Sequence, residues 1–423
     1  MGRLYALKFL AAGYTVNVCD LPSRFEELRK SLKGTGLVVL KDGHAVSRRS
    51  DFIIYSVEAE LIDRVVGEYG PSTKIGAVVG GQTSVKSPEI EAFEKHLPED
   101  VHIVTCHSMH GPGVDPKDQP LAIIRHRSSE KAYQLAKDAL SSLGSNMVEL
   151  DYQQHDRITA DTQAVTHLAF LSMGTAWKQR NEFPWEDQCF VGGIENVKVN
   201  IALRIYANKW HVYAGLAILN PSAQVQVKQY ARSVYELFTM MIQEDEVAFR
   251  ERVTKAKDFV FGKDYDPILL SDGVLDRFSL SSVPKEDRKP NSHLSLLAMV
   301  DCWYQLGLNP YDHMVCQTPP FRLWLGIAEY CVTNEEMFQD AIHASLYDKN
   351  IRKHDLSFYS ASQGWAQCVE LGNMEGYRRR FQETAAFFSD RLPDASKLSS
   401  EMIRTIIRRT NSNIQLNEKK STS

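Results

Sequence analysis

Short β-branched runs alternate with helical stretches through about residue 150, and beyond Asp156 the strand signals stop. The runs Thr15–Cys19, Leu37–Leu40, Phe52–Val57, Ile75–Val79, Val101–Cys106 and Leu121–Arg125 read as strands, with helices such as Pro22–Leu32 and Ala59–Tyr69 between them. Continuous apolar stretches like Phe52-Ile53-Ile54-Tyr55 suit strands buried on both faces, so the first part is α/β with a mainly parallel sheet. Long periodic stretches, Asp161–Lys178, Ala223–Ile242 and Glu244–Phe259, make the remainder mostly α. With 423 residues at 43% hydrophobic, more than one core can form. The expected division is a nucleotide-binding domain over 1–150, a helical domain over 151–390 and a final helix with a polar tail over 391–423, disordered from about Asn411. Ser279–Asn291, rich in Ser, Pro and charge, reads as a surface loop.

The first twenty residues sharpen the α/β reading. Gly2 opens a helix whose apolar face ends at Gly13, and the strand that follows stops at the acidic Asp20. This is the second half of a dinucleotide-binding βαβ turn, with Gly2 as the third glycine of the fingerprint. The first strand and the two glycines that let backbone N–H groups approach a pyrophosphate are not in the sequence, which leads us to expect a misplaced start or a fragment, and weak dinucleotide binding as the chain stands. An acid at position 20 usually accepts from a ribose 2′-hydroxyl and suggests NAD, whereas Arg24 is within reach of a 2′-phosphate and suggests NADP.

The net charge of −4 contains no basic excess that would call for nucleic acid or an anionic membrane. Seven scattered cysteines, an odd number, favour reduced thiols in the cytoplasm over a disulfide framework or a zinc site, and no metal is expected. No apolar run is long enough to span a bilayer. Within the helical part, His167-Leu168-x-x-Leu171-x-Met173-x-x-x-Trp177 recurs as His293-Leu294-x-x-Leu297-x-Met299-x-x-x-Trp303, and Phe249-Arg250-Glu251-Arg252 is echoed by Tyr377-Arg378-Arg379-Arg380. A tandem duplication of a helical unit explains both offsets.

Ligands of an open parallel sheet bind at the carboxyl ends of its strands. After Ile75–Val79 come Gly80-Gly81-Gln82-Thr83-Ser84, glycines that permit close approach and a hydroxyl that donates and accepts; a plain turn with a capping serine is the alternative. After Val101–Cys106 comes His107-Ser108-Met109-His110-Gly111-Pro112, which sets an imidazole at a strand tip, either as a base near neutral pH or as a structural histidine. Asp156, Thr159, Gln163 and His167 fall on one stripe of the first long helix, facing a pocket, a partner or water. Arg204, flanked by apolar residues, suits a bidentate carboxylate clamp or an internal salt bridge.

Gln82-Thr83-Ser84-Val85-Lys86, the His107 segment, the His155-Asp156 to His167 helix start and Leu203-Arg204-Ile205 occur in the order and approximate spacing seen in prephenate dehydrogenases. The chain resembles most the fungal, NADP-linked form, from Gly2 to about Phe388. The resemblance implies oxidative decarboxylation of prephenate to 4-hydroxyphenylpyruvate in tyrosine biosynthesis, with arogenate dehydrogenase, another β-hydroxyacid-type dehydrogenase or a non-catalytic dinucleotide sensor as alternatives. It implies that His107 takes the substrate hydroxyl proton, that Ser84 hydrogen-bonds the same hydroxyl, and that Arg204, His167 and Gln163 bind substrate. Gly2, Asp20, Arg24, Ser56 and Gly80 are assigned to the cofactor, NADP, with NAD as the alternative. A homodimer is expected, although an internal helical copy can substitute for part of a dimer interface.

Overall fold

The computed structural model describes residues 1–262, 278, 280 and 283–405, so the polar tail from Asn411 and part of 279–291 lie outside the described residues. Two compact units emerge. One comprises Met1–Thr159 with Leu219–Pro221 and Val315–Gln317, and the other comprises Ala160–Ile218, Ser222–Met314 and the chain from Thr318.

In the first unit, β1 (Asn17–Val18) and β2 (Val38–Val39) pair in parallel. A five-stranded sheet runs β3 (Phe52–Tyr55), β4 (Val78–Gly81), β5 (His102–Ser108), β6 (Pro120–Arg127) and β7 (Asn146–Glu149), in that order. Every neighbour pair is parallel except β5–β6, so the sheet is mixed at that point. The helices are α1 (Gly2–Ala11), α2 (Phe25–Ser31), α3 (Gly43–Ser47), α4 (Ile62–Tyr69), α5 (Ser87–His96), α6 (Glu130–Ser141) and α7 (Tyr152–Thr159). Alternate strand residues supply two cores because successive side chains point to opposite faces. Val78, Val104 and Cys106 pack with Tyr5 of α1 and with Ala132, Tyr133, Ala136 and Leu140 of α6. Val79 and Ile103 pack instead with Ile62 and Val66 of α4 and with Ile90 and Phe93 of α5.

Gly2 has a packing role at the start of α1, where an added Cβ would lie 3.0 Å from Ser56 Cβ and Oγ. Gly13 ends the helix with φ +91°, a conformation that suits glycine. β7 escaped the sequence reading because only its two middle residues are half-buried and its ends are exposed, which leaves no apolar run to see.

The second unit opens with a π-helical segment, Ala160–Val165, that leads into α8 (Thr166–Arg180). It continues through α9 (Gly193–Tyr206), α10 (Trp210–Ile218), α11 (Pro221–Gln243) and α12 (Glu246–Phe261). Then come α13 (Leu294–Leu306), α14 (Pro319–Thr333), α15 (Glu335–Tyr347), α16 (Lys349–Glu370) and α17 (Met374–Phe387). Helices starting at 166, 193, 210, 221 and 246 recur as helices starting at 294, 319, 335, 349 and 374, so each returns after 125 to 128 residues. The duplication is therefore a property of the whole helical unit, and one continuous core runs through both copies. The copies interleave: Arg252 on α12 forks onto Asp301 of α13 at 2.5 and 3.0 Å, and the Trp365 indole of α16 donates to Thr175 of α8 at 2.9 Å.

Candidate active site

The loop between β4 and α5 is held by a fully buried lysine. Lys86 Nζ donates to Glu89 Oε1 at 2.8 Å and to the Cys106 carbonyl at 2.6 Å, while Glu89 Oε2 accepts from the Thr83 hydroxyl at 2.6 Å. Thr105 on β5 also donates to Glu89. Both ends of the Lys86–Glu89 pair are excluded from water, so the pair is stable only because these further hydrogen bonds satisfy it. The glycines before this loop belong to the strand and have a packing reason. A Cβ on Gly80 would sit 2.3 Å from the Val104 carbonyl oxygen, and one on Gly81 would sit 2.1 Å from Glu89 Oε2.

The start of α5 meets α7 through Asp156. Its Oδ1 accepts from the Lys86 N–H at 2.7 Å, and its Oδ2 accepts from the Ser87 N–H at 2.8 Å and the Ser87 hydroxyl at 2.6 Å. Burial alone would raise the pKa of this carboxyl. Hydrogen bonds from His155, Ser87 and the Lys86 N–H outweigh burial and hold it below the usual range, so Asp156 is ionised.

From that fixed charge a tautomer chain follows. Asp156 can only accept, so His155 Nδ1, 2.9 Å away, carries the proton and donates. His155 Nε2 then holds a lone pair, and His107 Nδ1, 2.8 Å from it, must donate in turn. The lone pair of His107 is left on Nε2. Burial, with the neighbouring His155 and Lys86, pushes the His107 pKa well below 6.5, so the ring is neutral at physiological pH. His155 is likewise lowered by burial, with Asp156 opposing the shift. A neutral imidazole with one nitrogen committed and the other basic is the form a general base requires.

Ser84 is half-buried in the turn between β4 and α5 and makes no side-chain hydrogen bond to His107 or to any other described residue. Ser56, just past β3, donates its hydroxyl to Gln82. Asp20 is not a free acceptor. Its Oδ1 caps the Leu21 N–H at 2.7 Å, and its Oδ2 lies 3.2 Å from the Arg24 guanidinium, which also contacts Glu27. The terminus of α1 at Gly2, the β3 end at Ser56 and the exposed Arg24 remain able to hold a dinucleotide, because the bare Gly2 leaves its backbone approachable and Arg24 covers the acid that would repel a phosphate.

The other three substrate candidates belong to the helical unit. The polar stripe that links them to Asp156 in sequence is broken by the π segment Ala160–Val165, where the wider turn shifts the register. All four stripe residues are buried, so the side facing water is excluded. His167 stands edge-on to Tyr213 with ring centroids 4.8 Å apart, its Nδ1 has no hydrogen-bond partner, and burial brings its pKa down to about 3. Gln163 is buried one turn earlier. Arg204, near the end of α9, donates to the Ser400 hydroxyl at 2.7 Å and has no acidic partner among the described residues, so the internal salt bridge is not formed. Burial lowers its pKa, Tyr213 opposes the shift and the like charge of Arg404 adds to it, so an anion there would relieve the local repulsion. Sequence reasoning named the His155-Asp156 pair only as a helix start and passed over Lys86 and Glu89. The signal for both was a charged residue set among buried neighbours.

Residues 164–408 match the family model described as 6-phosphogluconate dehydrogenase C-terminal domain, in the form that model gives for the tyrosine-pathway enzymes. A Schizosaccharomyces pombe protein named probable prephenate dehydrogenase, NADP(+), is 50% identical over 411 residues, covering 96% of this chain and 95% of that protein. The Saccharomyces cerevisiae prephenate dehydrogenase, NADP(+), is 50% identical over 415 residues, covering 96% and 92%. The crystal structure of prephenate dehydrogenase from A. aeolicus with hydroxyphenyl propionate and NAD+ shares the fold at a TM-score of 0.50 and 15% identity, covering 61% of this chain and 92% of that one.

Proposed function

This chain belongs to the NADP-linked prephenate dehydrogenases, and from that premise we infer that it converts prephenate to 4-hydroxyphenylpyruvate and carbon dioxide in tyrosine biosynthesis. When bound, NADP+ accepts the hydride from the ring carbon that bears the hydroxyl. The observation that carries the assignment of a base is the Asp156–His155–His107 chain, because it leaves a lone pair on His107 Nε2. His107 takes the hydroxyl proton as the carbonyl develops, and loss of the ring carboxylate as carbon dioxide then restores aromaticity. Ser84, with an uncommitted hydroxyl, orients the same substrate oxygen. Gly2, Ser56, Gly80 and Arg24 hold the dinucleotide, with Asp20 fixing Arg24 rather than accepting from a ribose.

Arg204 fixes a substrate carboxylate by a charge-assisted fork, with His167 and Gln163 beside it. The Arg204→Ala enzyme is expected to show a KM for prephenate raised roughly 10- to 100-fold and a much smaller fall in kcat, since a hydrogen bond to a charged group contributes about 1.5–3 kcal/mol. An unchanged KM in steady-state assays removes Arg204 from this role. The reading as a whole is tested by assaying the purified protein with prephenate or arogenate, each with NADP+ or NAD+. Prephenate with NADP+ is expected to give the highest kcat/KM, and a preference for arogenate overturns the substrate assignment. No helix among the described residues is long and apolar enough to cross a membrane. We place the enzyme in the cytoplasm, a reading that the seven unpaired cysteines support.

A further inference from the structure

The helical unit holds a set of donors that the proposed reaction does not use. Asp187 and Cys189 lie in the connection between α8 and α9, His354 lies on α16, and one ligand atom from each falls within 4.8 Å of the others. We propose that Asp187 Oδ2, Cys189 Sγ and His354 Nε2 form a binding site for a divalent cation of the zinc class.

The geometry suits such an ion. Metal bonds of about 2.0–2.1 Å to nitrogen or oxygen and about 2.3 Å to sulfur place tetrahedral ligand atoms roughly 3.3–3.6 Å apart. His354 Nε2 and Asp187 Oδ2 stand 3.1 Å apart, close to that edge length. The donor set of carboxylate, thiolate and imidazole matches a borderline cation better than calcium or magnesium.

The surrounding contacts orient all three ligands. The Cys189 N–H donates to Asp187 Oδ1 at 2.9 Å, which leaves Oδ2 for the ion. His354 Nδ1 is buried without a hydrogen-bond partner and faces Glu182 Oε2 at 3.8 Å, while Arg180 clamps Glu182 at 2.6 and 2.8 Å. A ligating histidine backed by a carboxylate is the usual outer support of a zinc site. His354 and Arg180 also line a cavity of about 30 Å³, enough for one or two waters, so a water can complete the coordination. Binding forms a metal–sulfur bond and releases the thiol proton to solvent, with no change of oxidation state. The ion would tie the first helical copy to the second.

The test uses the full chain stripped with a chelator and titrated with Co2+. One equivalent is expected to produce a thiolate-to-cobalt charge-transfer band and the visible bands of a tetrahedral ion, both abolished by one equivalent of Zn2+. Cys189→Ser is expected to lose the charge-transfer band while keeping the wild-type circular dichroism spectrum. Glu182→Gln, which leaves every ligand in place, is expected to weaken Co2+ binding about 10- to 100-fold. Absence of the band in the wild-type protein overturns the site, as does a band that survives in folded Cys189→Ser.

Discussion

Replacing His107 by asparagine is expected to lower kcat for prephenate by about 10²- to 10⁴-fold, the range over which a positioned base contributes, with the fold intact. Asparagine can still donate to His155 Nε2, so the buried hydrogen bond to α7 has a substitute. What it lacks is a basic nitrogen. Steady-state kinetics beside a circular dichroism spectrum check the expectation, and near-normal turnover in the folded variant removes His107 as the base. The pH dependence gives a second reading. Only neutral His107 can take a proton, and burial depresses its pKa well below 6.5, so its protonation should limit kcat/KM only well below pH 6.5. Stability follows the same sign. In the unfolded chain His107, His155 and His167 take up protons near pH 6.5, whereas the folded protein resists until lower pH, about 3 for His167. The folded state therefore binds fewer protons across that window, and stability present above pH 6.5 is lost progressively as the pH falls through it.

The second large effect is on folding. Lys86→Met is expected to destabilise the protein by about 3–5 kcal/mol, because it leaves the Glu89 carboxylate buried without its cation. Urea unfolding followed by circular dichroism measures the loss. The double variant Lys86→Met/Glu89→Gln should recover a substantial part of it, since the amide oxygen still accepts from Thr83 and Thr105 and no charge remains in the interior. A single variant as stable as the wild type would show that the pair adds nothing. The Lys86 backbone also contributes one of the N–H groups that fix Asp156, so a loss of this brace should reach His107 through α7.

The sheet was legible in the sequence where strands are buried on both faces. Phe52–Tyr55 and the run that ends at Gly81 announce themselves as apolar stretches, and the structure alters only their ends. The half-exposed β7 carries no such pattern, and nothing in the spacing indicates that β5 and β6 run in opposite directions. The helical repeat was legible from two short echoes, and the structure extends it to five helix pairs. At the candidate site the imidazole at position 107 could be found from its place at a strand end. Its tautomer could not, because that depends on a carboxylate 49 residues later in the chain. The stripe from Asp156 to His167 misled for a local reason: a helical wheel assumes constant pitch, and the wide turn at Ala160–Val165 breaks that assumption.

The interleaved copies have a consequence for how such a protein can change. Two identical subunits related by a symmetry axis must accept every mutation twice, once on each side, whether or not both sides gain. A covalent tandem removes that constraint. His167 retains an uncommitted ring nitrogen, whereas His293, which occupies the matching place in the second copy, is locked to Lys198 and Glu195 at 2.9 and 3.0 Å. One sequence position has thus been released to meet a ligand while its twin has become masonry.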